Sequence, residues 1–180
     1  MNKRQRGFTL TEMMVVTGIV AILLGIAIPS YKYLTTSYRL SAEMNNLSGD
    51  LQYARAEAVK EGNAATVCVS ADGANCTGGT NWNVGWIVFS DLNGNAAVDP
   101  NDRVLRVQNA FNGTTPDSAN GVTSYTYNRE GFVTSAGGGF VATQVNFLDP
   151  TANNGYTRCL LVNSVGTVTS LTHVVNPSQC

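Results

Sequence analysis

The sequence is poor in the residues that enzymes and metalloproteins use. It has a single histidine, His173, which lies in a β-like segment near the C-terminus, and its four cysteines show no CxxC spacing. A structural zinc site needs several such ligands at short spacing, so zinc is not expected. No glycine-elbow motif or paired acid gives His173 a catalytic role. We therefore expect a protein that is not an enzyme and has no cofactor.

Positive charge is also scarce, above all in the last third of the chain. Between Gly131 and Cys180 the only lysine or arginine is Arg158. The whole chain has 11 Lys and Arg against 12 Asp and Glu, and without the three cations of residues 1–7 the balance is 8 − 12, or −4. Nucleic-acid binding requires several cations to neutralise phosphates, so this composition gives it little basis.

Charged side chains are absent from Met13–Tyr31, a run of 19 residues. As a helix with a rise of about 1.5 Å per residue, this run spans nearly the hydrocarbon core of a bilayer. The basic residues that precede it predict a cytoplasmic N-terminus. Glu12 stands at the head of the run, and a carboxylate in lipid costs on the order of 2.5–3.5 kcal/mol at a helix centre and less near the interface. Glu12 is therefore expected to have a cationic partner.

Two ordinary alternatives explain the same run. A secretory signal peptide has a similar basic and apolar pattern, with Gly25-Ile26-Ala27 as a small-residue cleavage site, and a plain transmembrane anchor also fits. Neither accounts for Glu12 or for the Gly7-Phe8 pair. Within the run, Pro29 lacks a backbone donor and is expected to kink or loosen the helix.

The stretch Arg6-Gly7-Phe8-Thr9-Leu10-Thr11-Glu12 resembles the class III leader of type IV pilins and of the related secretion pseudopilins. The resemblance implies that a prepilin peptidase cuts between Gly7 and Phe8 and methylates the new amine. It further implies that Glu12 acts in filament assembly, where the Phe8 amine of a neighbouring subunit is the expected partner. Residues 1–7 would be the cleaved leader, 8–35 the hydrophobic membrane and filament-core helix, and 36–180 the globular domain.

The helix is expected to continue beyond the membrane segment, because apolar residues recur there at spacings of three and four: Leu40, Met44, Leu47, Leu51, Ala54 and Ala58. The opposite face is predicted to carry Glu43, Asp50, Glu57 and Lys60, and Gly62 is a plausible stop. Short β-type runs follow: Ala65–Val69, Trp86–Ser90, Arg103–Val107, Ser124–Tyr127, Gln144–Leu148, Arg158–Val162 and Thr167–Leu171. This order predicts an α+β fold in which the long helix packs on an antiparallel sheet or a β-sandwich-like domain.

The four cysteines form an even set in a domain expected outside the cytoplasm, so disulfides are expected. Four cysteines can pair in three ways. Cys68–Cys76 together with Cys159–Cys180 closes the two shortest loops.

An oxygen-rich run consists of Asp91, Asn93, Asn95, Asp99, Asn101 and Asp102. Calcium could bind such a run, but it departs from the EF-hand loop because Gly94 stands at the fourth position and no glutamate closes it. A solvated turn is the favoured interpretation.

The segment Ala54-Arg55-Ala56-Glu57-Ala58 and the later Asp91-Leu92-Asn93-Gly94 resemble, in their order, the GspH/FimT-type minor pilins. The resemblance implies a FimU-like subunit of the complex that primes and caps a type IV pilus, with other minor and major pilins as partners. Such a subunit lies in the bacterial inner membrane as a single-pass protein before assembly, with its globular domain on the periplasmic side, and then in the extracellular pilus.

Two alternatives come from the same family. A GspH-like member would serve a type II secretion pseudopilus. A FimT-like member would bind DNA for natural transformation, and that branch carries a basic motif where this chain has Gly166-Thr167-Val168-Thr169. Threonine at both arginine positions makes nucleic acid an unexpected partner.

Overall fold

The computed structural model describes residues 7–111, 118–119, 121–134, 143–148, 155–175 and 180. The chain divides into two compact units, one ending at Tyr38 and the other running from Arg39 to Cys180. A long helix, α1 (Leu10–Glu61), contributes residues to both. Residues 1–6 of the expected leader lie outside the described part.

In the first unit, α1 is the only regular element among the described residues. Its large apolar side chains from Leu10 to Leu34 are exposed. By length and composition it can cross a membrane. Pro29 lies inside α1, and the helix does not end there.

In the second unit, α1 buries the predicted apolar stripe: Leu40, Met44, Leu47, Leu51, Ala54 and Ala58. The helix ends at Glu61. Gly62 follows with φ +70°, and its N–H donates to the Ala58 carbonyl over 3.0 Å. A left-handed residue at this point favours glycine, so the predicted stop at Gly62 is confirmed.

The described residues form nine strands: β1 (Ala64–Val69), β2 (Gly85–Asp91), β3 (Arg103–Asn109), β4 (Ser118–Ala119), β5 (Ser124–Tyr127), β6 (Val133–Thr134), β7 (Thr143–Phe147), β8 (Arg158–Val162) and β9 (Val168–Thr172). They make a five-stranded first sheet, ordered β3-β2-β1-β5-β6, and a four-stranded second sheet, ordered β4-β7-β8-β9. Every pairing is antiparallel. The α+β prediction is confirmed.

One apolar cluster joins the helix to both sheets. From the first sheet and the turn before β2 it takes Trp82, Trp86, Tyr125 and Tyr127, and from the second sheet Val145, Phe147, Leu160 and Val162. All are nearly inaccessible to solvent. Apolar burial on this scale is the main favourable contribution to the fold.

Two disulfides close loops in this unit. Cys68 is bonded to Cys76 and Cys159 to Cys180, with Cα–Cα distances of 5.6 and 5.7 Å. Cys159 lies on β8, so the second bond holds the last residue of the chain against the second sheet.

The structure corrects three sequence-based expectations. Glu43 and Glu57, assigned to the helix face opposite the apolar stripe, are 1% and 8% exposed. Asp91, assigned to a solvated turn, is completely buried. Glu43 follows Leu40 by three residues and precedes Leu47 by four, so helical spacing places it beside the apolar stripe and not opposite it. Asp91 lies at the end of β2, where its carboxylate is bonded to Thr66 inside the unit.

Candidate processing and assembly site

The Gly7-Phe8 bond precedes α1 in a stretch without regular secondary structure. Gly7 is exposed, and the Phe8 side chain is 83% exposed. Exposed, irregular backbone is the kind of segment that a protease can enter. The segment at the predicted cut is therefore accessible in this chain.

Thr9 and Glu12 form a reciprocal cap at the start of α1. The Glu12 backbone N–H donates to Thr9 Oγ1 over 3.2 Å, and the Thr9 backbone N–H donates to Glu12 Oε2 over 2.9 Å. The Thr9 hydroxyl also donates to Glu12 Oε2 over 2.9 Å. This is the T-x-x-E capping box, which satisfies two backbone donors that the first helical turn leaves without partners.

The cap uses only one oxygen of the Glu12 carboxylate. Within the part of the chain that the structure describes, Oε1 accepts no hydrogen bond, and the residue is exposed. Oε1 is therefore open to a donor from another molecule while Oε2 holds the cap. Phe8, Glu12 and their neighbours Thr11, Val15 and Val16 line a groove of about 360 Å³ at this end of the helix.

The capping role of Thr9 and Glu12 was missed in the sequence, although its signature was present. Thr9 and Glu12 stand three residues apart directly before an apolar run, which is the pattern of a capping box. The sequence reasoning assigned Glu12 only an intermolecular role. The structure gives it an intramolecular one as well.

Asp50 connects the helix to the first sheet. Its Oδ1 accepts from Arg106 Nη1 and its Oδ2 from Trp86 Nε1, both over 2.9 Å. The Arg106 guanidinium carbon also lies 3.8 Å from the centre of the Tyr53 ring, a cation–π distance. This network fixes α1 on β2 and β3.

Asp91 organises the turn after β2 and does not present its oxygens to a metal. Its carboxylate accepts from the Thr66 hydroxyl over 2.8 Å and from the backbone N–H groups of Asn95 and Ala96 over 3.1 and 2.9 Å. Among the described residues no group of three or more His, Cys, Asp or Glu side chains could hold a metal ion. These hydrogen bonds use the buried Asp91 carboxylate to hold the turn together.

The turn that precedes β9 lies against the helix. Gly166 has φ +77°, and its carbonyl is 3.5 Å from Arg55 Nη1. Three of the remaining arginines lie within 3.0 Å of carboxylates: Arg103 with Glu61, Arg106 with Asp50, and Arg129 with Glu130. The acidic partners offset the charge that these arginines could offer to phosphates.

An exposed apolar helix with a capped N-terminus, followed by a helix-on-sheet unit with two disulfides, defines a pilin-like class of protein. Residues 43–166 match the family model described as Type II transport protein GspH, and residues 2–28 match the prokaryotic N-terminal methylation motif. The GspH match covers more than half of the chain, which therefore belongs to the GspH family.

Curated relatives match over shorter stretches. The pilin-like protein PilA1 of Thermus thermophilus is 31% identical over 100 residues, which is 54% of this chain and 56% of that protein. A fimbrial protein of Pseudomonas aeruginosa is 40% identical over 60 residues, 33% of this chain and 38% of the relative. The chain thus spans little more than half the length of the first of these relatives.

Among solved structures, the type IV minor pilin FimU of Pseudomonas aeruginosa has a similar fold. One crystal form gives a TM-score of 0.59 at 19% identity, covering 78% of this chain and 94% of FimU. A second form gives 0.56 at 18% identity, covering 74% and 94%. At this level of identity the likeness concerns the fold.

Proposed function

We propose that this protein is a minor pilin of a type IV pilus, a filament subunit of the complex that primes and caps assembly. One observation carries the proposal: an exposed apolar helix, headed by Phe8 and Glu12, joined to a unit of the GspH family. So large an apolar surface has to be covered by lipid or by neighbouring subunits. The role is structural, and its chemistry is assembly.

The proposed life cycle has two locations. Before assembly, α1 anchors the chain in the bacterial inner membrane, with the globular unit on the periplasmic side. Prepilin peptidase then cuts between Gly7 and Phe8, and the mature subunit enters the extracellular pilus beside other minor and major pilins. In the filament, Glu12 Oε1 accepts the Phe8 amine of a neighbour.

The first prediction tests processing. Mass spectrometry of the membrane-extracted native protein should find a mature chain that begins with N-methylated Phe8. A Gly7→Ala variant, which alters the residue before the cut, should accumulate with its leader attached. A mature chain that begins at Ile28 would instead show cleavage after Gly25-Ile26-Ala27 by an ordinary signal peptidase and would contradict the proposal.

A GspH-like role in a secretion pseudopilus is the second candidate, because the matching family model carries a type II transport description. The two roles differ in the filament that incorporates the subunit, which is a surface pilus in one case and a secretion pseudopilus in the other. A type IV minor pilin should be recovered in sheared surface pili, and its deletion should reduce pilus number. A pseudopilin should be absent from sheared pili, and its deletion should leave secreted proteins in the periplasm.

A further inference from the structure

A groove of about 700 Å³ runs between α1 and the beginning of β9. On the helix side it is lined by exposed residues, among them Arg55, Ala56, Val59 and Lys60. On the sheet side it is lined by the turn at Gly166 and by Thr167 and Val168. The groove therefore has a helix along one wall and the edge of a sheet along the other.

The outer edge of β9 begins at the groove, which Thr167 and Val168 line. The hairpin is held by Asn163 N–H donating to the Thr167 carbonyl at one end and His173 N–H donating to the Thr157 carbonyl at the other. Directly bonded pairs alternate along an antiparallel ladder. The main-chain N–H and C=O groups of Thr169 and Leu171 therefore point toward β8, and those of Val168 and Ser170 point outward. In the part of the chain that the structure describes, no strand pairs with this edge.

The other long edge strand, β3, is protected in ways that β9 is not. β3 carries Arg103 and Arg106, both paired with carboxylates, and its register with β2 shifts between Val88 and Phe89. Charges and irregular pairing are common defences against the addition of a foreign strand. From Ser164 to Val175 the chain has no lysine, arginine, acid or proline.

The charge of the groove selects a type of partner. Arg55 and Lys60 are its ionic residues, and no acid is among the residues that line it. Lys60 lies 3.0 Å from Glu57, so part of its charge is offset. Among the described residues, the one hydrogen bond of the Arg55 side chain is the 3.5 Å contact with the Gly166 carbonyl, and Arg55 is the main cation of the groove without a carboxylate partner there. Val59, 54% exposed, adds an apolar contact beside it.

We propose that this groove binds an extended, acidic segment of a neighbouring protein by strand addition to β9. The main-chain groups of Val168 and Ser170 would supply hydrogen bonds independent of the partner's side chains, and Arg55 would select a carboxylate. Val59 and Ala56 would contact an apolar side chain next to that carboxylate. This deepens the proposed minor-pilin function, on which it rests, by naming a surface through which the subunit holds a neighbour.

The test uses the full chain in detergent micelles and three short synthetic peptides. One peptide alternates valine and threonine and carries glutamates, the second has lysines in place of the glutamates, and the third is the acidic peptide with N-methylated amides. Hydrogen exchange of the Val168 and Ser170 amides, followed by NMR, reports strand addition directly. The acidic peptide should slow both amides on the order of tenfold, since hydrogen-bonded amides exchange only on opening. The other two peptides should have little effect.

Variants separate the contribution of the Arg55 charge from that of the main-chain groups on the outer edge of β9. Arg55→Glu should transfer the preference from the glutamate to the lysine peptide, whereas the matched Arg103→Glu, on β3, should leave it unchanged. Ser170→Pro should abolish protection at Val168 by removing an outward donor, and Ser170→Ala should retain it. If Ser170→Pro fails to fold, the peptide preference of the Arg55→Glu variant still tests whether this groove binds the acidic peptide.

The proposal is overturned if the acidic peptide leaves the β9 amides unprotected, or if Arg55→Glu does not change the preference. It is also overturned if duplex DNA, added as a competing probe, protects this edge with a steep salt dependence. Recovery of the subunit in sheared pili is measured separately. Loss of peptide binding with normal recovery would therefore remove this surface and leave the minor-pilin function standing.

Discussion

In the proposed function, Glu12 has two tasks, the helix cap seen in the structure and the pairing with a neighbouring subunit. Its Oε2 closes the capping box with Thr9, while Oε1 is open to a neighbouring subunit. A substitution that removes both the cap and the negative charge cannot show which of the two is needed for assembly. Glutamine can separate them, because it also fits the N3 position of a capping box but carries no charge.

We predict that Glu12→Gln and Glu12→Ala both strongly reduce incorporation of the subunit into the pilus. An amine in lipid without a countercharge is costly, so the charge matters more than the cap. Thr9→Ala, which removes the cap and keeps the charge, should cost about 1 kcal/mol of local helix stability and leave incorporation largely intact. Quantitative immunoblots of sheared pili measure this. Normal incorporation of Glu12→Gln would rule out the charge pairing.

Glu43 is a buried acid that has no hydrogen-bond partner in the part of the chain that the structure describes. It is 1% exposed, and neither carboxylate oxygen accepts a hydrogen bond. Burial raises the pKa of Glu43 from 4.5 to about 7, and the nearby charge of Arg39 only partly opposes this. Between these two pH values the folded protein binds more protons than the unfolded chain, so its stability falls as the pH rises from about 4.5 to about 7.

We predict that Glu43→Gln stabilises the protein at pH 8 and changes its stability little at pH 4, where the native side chain is already neutral. Glu57→Gln is the matched control. A hydrogen bond from Lys60 lowers the pKa of Glu57, so its replacement should not stabilise the protein at either pH. Thermal unfolding, followed by circular dichroism at both pH values, measures the stability of each variant relative to the natural protein. A pH-independent effect of Glu43→Gln would refute the assignment.

At the scale of elements, the C-terminal segment depends on its disulfide. Cys159 on β8 is bonded to Cys180, 21 residues later, and β9 lies within that loop. Closing a loop of this length restricts the unfolded chain and contributes roughly 3 kcal/mol in the chain-entropy model. β9 lies inside the loop that this bond closes, so we expect the bond to limit its opening.

We predict that Cys159→Ala with Cys180→Ala lowers the free energy of unfolding by about 2–4 kcal/mol and speeds amide exchange in β9 before the rest of the unit. Replacing Cys68 and Cys76 instead should leave β9 exchange close to normal, because Cys68 lies on β1 of the first sheet and Cys76 in the loop that follows it. Hydrogen exchange by mass spectrometry distinguishes the two. Equal loosening of both sheets by either pair of changes would argue against this local effect.

The elements that periodicity describes were predictable, and those that depend on distant contacts were not. The apolar stripe of α1 and seven of the strands follow from local patterns, within a residue or two. β4 and β6 are two residues long, too short to leave a pattern. The contact of Asp50 with Arg106 spans 56 positions, and that of Arg55 with Gly166 spans 111. Such pairs become neighbours only when the sheets pack on the helix.

At the scale of the whole molecule, charge argues against a nucleic-acid partner. From Thr36 onward the chain has seven Lys and Arg and eleven Asp and Glu, or 7 − 11 = −4. Three of the arginines are paired with carboxylates. We predict that the purified protein gives no specific shift of duplex DNA at physiological salt, because too few phosphates would be neutralised.

Gel-shift measurements over a range of salt concentrations check this. Thr167→Arg with Thr169→Arg should create or strengthen binding if the turn before β9 lies where the DNA-binding branch has its basic motif, and Thr35→Arg with Thr36→Arg adds the same charge on the helix as a control. Micromolar binding by the natural chain with a steep salt slope would contradict the prediction.

All four cysteines are paired within the chain, and none is left to react with a neighbour. A filament subunit of this kind cannot be tied to the next one through sulfur. Contacts between neighbouring subunits then do not include a disulfide. In the proposed filament, a reducing agent would therefore loosen individual subunits without cutting a disulfide between them.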